Sequence, residues 1–77
     1  MKTMVAPDEH ETKEIIQRSL QRLPEKYRLP VILKDIEGHS YEEIADIMQC
    51  ELGTVKSRLA RGRGMLRDYL SPILERD

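Results

Sequence analysis

Residues 40–70, SYEEIADIMQCELGTVKSRLARGRGMLRDYL, decide the fold. They divide into a short acidic amphipathic segment, a tight break and a longer basic segment. Ser40 followed three residues later by Glu43 forms a capping box, in which the hydroxyl accepts from the Glu43 N–H and the Glu43 carboxylate accepts from the Ser40 N–H. Ile44, Ala45, Ile47 and Met48 then make an inner face, with Ala45 small where two helices cross steeply. This helix is predicted to end near Gln49. Cys50, Glu51, Leu52 and Gly53 make the connection, with Leu52 as an apolar plug and Gly53 or Thr54 opening the last helix. At about 100° per residue, Val55, Leu59, Gly62, Leu66, Tyr69 and Leu70 gather on one side of that helix, which must be its buried side. The expected product is a helix-turn-helix with a cationic outer face.

That outer face carries Lys56, Ser57, Ala60, Arg61 and Gly64, with Arg63 and Arg67 along one flank and Thr54 and Arg58 toward the other. Cations interleaved with small side chains suit a helix entering a major groove about 12 Å wide, where Arg or Lys reaches guanine O6 and N7. The helix start beside Thr54 offers free backbone N–H groups to a phosphate. The chain's net charge of −1 conceals this. Residues 53–70 hold five cations against Asp68 alone, a balance of +4 that leaves −5 on the other 59 residues. A phosphate backbone meets the local field, not the sum. The plain alternative for such a run is a solvated helix face; the adjoining helix-turn-helix pattern favours nucleic acid.

Working outward, residues 24–37 read as a helix that offers Tyr27, Val31, Ile32, Leu33 and Ile36 to a core and ends at Gly38 as the C′ residue. Pro24 suits its first turn. Pro30 lies in its interior at a cost of about 3 kcal/mol, so a kink is expected, or regular helix only after Leu29. A first helix over residues 11–23 presents Ile15, Ile16, Leu20 and Leu23, with Thr12 as N-cap. Residues 1–10 read as a linker remnant or disordered lead-in, residues 11–70 as the domain, and residues 71–77 as a tail. No stretch alternates as a strand does. The fold class is all-α, a small four-helix domain without a wing.

Seventy-seven residues hold one small domain. No apolar run approaches the roughly 20 residues of a membrane span, and residues 1–10 lack a signal-peptide core, so a soluble, cytoplasmic chain is expected. The single cysteine, Cys50, fits a reducing compartment. An enzyme needs a constellation, and His10, His39 and Cys50 are too scattered to ligate a metal. The pairs Asp8-Glu9 and Glu42-Glu43 read as exposed or capping groups, and no glycine-rich phosphate loop follows a strand. No catalysis, cofactor, metal or small-molecule ligand is expected.

Three blocks in order, LPEKYR from residue 23, EGHSYEEIADIM from residue 37 and GTVKSRLARGR from residue 53, closely resemble domain 4 of bacterial sigma factors of the extracytoplasmic-function group. The resemblance covers nearly all of residues 23–70. It implies a four-helix domain that recognises the promoter −35 element in double-stranded DNA, while its first helices hold the flap tip of the RNA polymerase β subunit. It also implies an anti-sigma factor as a partner. Carried over by motif, Lys56, Ser57, Ala60 and Arg61 approach bases, and Thr54, Arg58 and Arg63 lie nearer phosphates. Tyr41 and Glu42 match positions that touch the DNA backbone or the recognition helix.

The chain departs from the family at four places. Ala60 replaces a larger side chain and offers at most a methyl contact to thymine. Glu51 stands where proline is frequent. Gly62 stands where Ala is usual, and Gly64 adds a second helix glycine; at about 1 kcal/mol each relative to Ala, they predict a last helix that is soft beyond Arg61 without DNA. Two other readings stay open: a helix-turn-helix regulator of the LuxR type, and a protein-interaction module, held by the polymerase flap or an anti-sigma factor, that uses DNA little.

Overall fold

The computed structural model describes residues 8–74, and every regular element among them is helical. Helix α1 spans Glu9–Gln21, α2 spans Glu25–Val31 and runs directly into a π-helical turn at Ile32–Ile36, α3 spans Tyr41–Met48, and α4 spans Leu52–Leu74. The first seven residues of the expected lead-in, and residues 75–77 of the expected tail, lie outside the described residues.

Helix α1 starts earlier than its pattern suggests. Asp8, not Thr12, is the N-cap: its carboxylate accepts from the Glu11 N–H at 2.8 Å, and Glu9 and Glu11 in the first turn complement the helix dipole. Residues 8–10 are therefore the cap and first residues of α1. Pro24 is the N-cap of α2, its carbonyl accepting from both Tyr27 and Arg28 at 2.9 Å.

The irregularity expected around Pro30 lies just beyond the proline. Helix α2 passes regularly through Pro30, whose ring is fully buried, and forfeits only the bond to the Lys26 carbonyl. The irregularity comes just after it, as the wide turn Ile32–Ile36, in which the Glu37 N–H bonds back five residues to Ile32 at 3.0 Å. A wider turn shifts the register of the residues after it. Val31 and Leu33 are buried, but Ile36, expected in the core, is 61% exposed. Gly38 then ends the turn at φ +77°, and the His39 N–H reaches the Leu33 carbonyl, as a left-handed C′ residue requires.

Two clusters make the core. Leu20, Leu23, Val31 and Leu59 join α1, α2 and α4, while Leu33, Ile44 and Val55 join the π turn, α3 and α4. Val55 and Leu59 are one turn apart on α4, so this helix belongs to both clusters and fixes its own orientation against the other three. Fully burying each such side chain contributes roughly 1.5–3 kcal/mol. Tyr41 packs against both clusters from the start of α3.

The last helix is longer and more regular than its glycines suggest. It runs unbroken through Gly62 and Gly64 and on to Leu74, with Pro72 in its final turn, so the helix extends through residues 71–74. Gly62 is buried because α4 crosses α2 there: a Cβ at this position would lie 2.7 Å from the Tyr27 carbonyl oxygen and 2.8 Å from Val31 Cγ2. The glycine that costs helix propensity is the one that lets two backbones meet. No helix among the described residues is long and apolar enough to cross a membrane.

Candidate nucleic-acid interface

The capping box forms as the spacing requires. The Ser40 N–H donates to Glu43 Oε1 at 2.7 Å, and the Glu43 N–H donates to Ser40 Oγ at 3.1 Å. The Ser40 backbone N–H, then its hydroxyl, hold the Glu43 carboxyl below its ordinary range. Helix α3 ends at Gln49 in the left-handed region, φ +53°, where the Cys50 N–H bonds to the Ala45 carbonyl at 3.0 Å. Gln49 is the one non-glycine among the described residues with positive φ, and its side-chain amide donates to the Asp46 carbonyl at 2.6 Å. That turn swings the chain from α3 into α4.

Two details of the turn differ from the sequence expectation. Helix α4 starts at Leu52, ahead of Gly53 and Thr54, and Leu52 is 37% exposed instead of plugging the connection. Ile47, expected on the inner face of α3, is 51% exposed, whereas Ala45 and Met48 do pack on the Val55 cluster. An eight-residue helix buries little more than one stripe, and Ile44 occupies its centre.

On α4, Lys56, Ser57, Ala60 and Arg61 are exposed together, with Thr54 and Arg58 half-buried beside them. Ser57 Oγ donates to the Thr54 carbonyl at 3.1 Å, which leaves its lone pairs outward. Among the described residues, none pairs an acid with Lys56, Arg58 or Arg61. Three cations thus stand without intramolecular neutralisation, a local positive field that attracts an anion.

Arg63 differs. It donates from Nε to Asp35 Oδ2 at 2.9 Å and from Nη2 to Asp35 Oδ1, a two-pronged pair linking α4 to the π turn across 28 residues of sequence. The guanidinium holds the Asp35 carboxyl below its ordinary range, chiefly by these hydrogen bonds. Arg63 is raised in return, by Asp35 first and by Tyr41 to a lesser extent. The structure places this candidate phosphate contact in an ion pair.

Tyr41 lies between cations from two elements: Lys34 Nζ is 4.6 Å and Lys56 Nζ 5.7 Å from its ring centroid. Glu42 is exposed in the first turn of α3, where the dipole favours it. Its carboxylate offers acceptors only, which suits a base amino group and opposes a phosphate.

Two cations of this surface lie outside the basic stretch of the sequence. Lys26, from α2, lines an open depression of about 320 Å³ together with Tyr27, Ser57, Arg58 and Arg61. Lys34, from the π turn, covers the Tyr41 ring. A charge count over residues 53–70 misses both because the fold, not the local sequence, brings them beside α4. Among the described residues no group of His, Cys, Asp and Glu is arranged to hold a metal ion.

A family profile described as Sigma-70, region 4 matches residues 13–66, which take in most of α1, all of α2 and α3, and α4 as far as Leu66. The chain belongs to the sigma-70 region 4 family. It is 41% identical over 66 residues to the ECF RNA polymerase sigma-E factor of Escherichia coli K12, covering 86% of this chain and 35% of that protein. The same figures hold for the protein of that name in Salmonella typhimurium LT2. The ECF RNA polymerase sigma factor SigE of Mycolicibacterium smegmatis is 54% identical over 56 residues, covering 73% of this chain and 22% of that relative. The chain thus spans about a third or less of the length of these relatives, and it is a region 4 of the ECF type.

Proposed function

We propose that this region 4 domain binds the −35 element of promoters as double-stranded DNA, with α4 in the major groove, and so helps a sigma factor direct RNA polymerase in the cytoplasm. It acts by binding, without catalysis. One observation carries the reading: among the described residues Lys56, Arg58 and Arg61 stand without an acidic partner around the side of α4 opposite the core, on a helix that both core clusters anchor. Lys56, Ser57 and Arg61 are the candidate base readers, Ala60 offers a methyl contact, and Thr54, Arg58 and Tyr41 are the backbone contacts. Glu42 stands at the edge. Titrating the domain against promoter duplexes tests this. Arg61→Ala costs about 1–3 kcal/mol on a cognate site and little on a scrambled one if Arg61 reads bases. An equal loss on every sequence reassigns it to phosphate, and no loss on any rejects the reading.

A second surface supports the protein partners that the family implies. Glu14, Gln17, Leu20, Ile32 and Ile36 line an open depression of about 480 Å³ between α1 and the π turn, away from the basic face. The outward turn of Ile36 leaves apolar area there that the domain does not cover itself. We assign this groove to the polymerase β flap tip, with an anti-sigma factor as a competing occupant. Ile36→Glu is expected to abolish binding to the flap and leave duplex binding intact.

A further inference from the structure

Arg63 lies seven residues after Lys56, so the two share one stripe of α4, roughly 10 Å apart along the axis. By position it extends the cationic face by two turns. Its side chain is 44% exposed and is held by Asp35, itself 38% exposed. Asp35 comes from the π turn, whose wide register sets this carboxylate against α4 while Ile36 turns away. The pair is two-pronged and occupies the Nε–Nη2 edge of the guanidinium, an edge that grips a phosphate in the same bidentate way.

We propose that Asp35 is an intramolecular competitor for DNA: its carboxylate occupies Arg63 in place of a backbone phosphate and limits the cations that α4 delivers to the duplex. This rests on the DNA-binding reading above. A phosphodiester and the Asp35 carboxylate are alternative anionic partners for one guanidinium, and the carboxylate is already in place at no cost in association. Arg63 therefore holds the fold in the wild-type domain, and becomes a DNA contact only when Asp35 loses its charge.

Each phosphate contact contributes about 0.9 to the slope of log K against log salt concentration, which is roughly a fivefold to tenfold change in affinity near 0.1 M salt. The experiment is a double-mutant cycle on a −35 duplex and a scrambled duplex across a range of salt, with thermal melts to show that every variant is folded. Asp35→Asn is expected to raise affinity roughly fivefold on both duplexes and to steepen the slope by about 0.9. Arg63→Gln alone is expected to leave the slope unchanged and the affinity within about twofold, since it removes no phosphate contact. The double variant is expected to return to the wild-type slope. The proposal is overturned if Asp35→Asn acts as strongly in the Arg63→Gln background, because simple removal of a negative charge then suffices. It is also overturned if Arg63→Gln alone flattens the slope by about 0.9, because Arg63 then reaches DNA past Asp35. Failure of the DNA-binding reading looks different: the wild type binds neither duplex, and Lys56→Gln and Arg61→Ala change nothing.

Discussion

The two halves of α4 use the same residue types for opposite ends. In the first half, residues 52–61, Val55 and Leu59 anchor the helix in both core clusters, and Lys56, Arg58 and Arg61 have no acidic partner among the described residues. In the second half, residues 62–74, Gly62 meets the α2 backbone, Arg63 is bound to Asp35, and Tyr69 lies under the Arg22 guanidinium at 4.0 Å. A cation on a helix is available to a ligand only if the tertiary fold has not supplied it with a carboxylate. Spacing along the helix does not tell the two cases apart.

The strongest consequence concerns the anchor of the first half. Leu59→Ala, at a position 2% exposed in the cluster that joins α1, α2 and α4, should lose about 2–5 kcal/mol of stability in a denaturant melt. A loss below about 1 kcal/mol would mean that α4 is not held from both sides. Next comes the pair of glycines in the second half. Gly62→Ala forces a Cβ onto a backbone carbonyl, and the strain of about 1–3 kcal/mol outweighs the roughly 1 kcal/mol of helix propensity it gains, giving a net loss of stability. Gly64→Ala meets only the end of Arg67 at 3.6 Å and should stabilise the domain by up to about 1 kcal/mol. Equal effects at the two positions would argue against a close crossing of α2 and α4.

A smaller effect is expected from acid. Asp35 and Glu43 both have carboxyls held below their ordinary range in the fold, by Arg63 and by Ser40 respectively. A carboxyl depressed by folding adds stability that is fully present above its unfolded value near 4 and is lost as the pH falls from there through the lower folded value. Thermal melts from pH 6 to pH 3 should therefore show Tm falling in the acid limb. Asp35→Asn should lower Tm at pH 6 and flatten that limb; an unchanged limb would show that the ion pair adds nothing.

How much could be read from residues alone depends on the range of the interactions concerned. The capping box of Ser40 and Glu43, the inner face of Val55 and Leu59, and the left-handed Gly38 are local patterns, and each appears where its spacing puts it. The exposed set Lys56, Ser57, Ala60 and Arg61 comes from the same periodicity. The π turn after Pro30 obeys no local rule, and with it went the placement of Ile36. The occupation of Arg63 by Asp35 and the contribution of Lys26 depend on contacts between elements distant in sequence. Gly62 reads as a defect of its own helix because its neighbour, the Tyr27 carbonyl, belongs to another.

Whether the first half of α4 meets phosphates while the second half does not is decided by one pair of equal charge changes. Arg58→Gln and Arg63→Gln each remove one cation from α4, one in each half, the first without an acidic partner among the described residues and the second bound to Asp35. The salt dependence of binding to a −35 duplex is measured for both. The expected result is a slope flatter by about 0.9 for Arg58→Gln and unchanged for Arg63→Gln. Equal flattening by both would show that only total charge matters, and no change in either would show that α4 does not meet the DNA backbone.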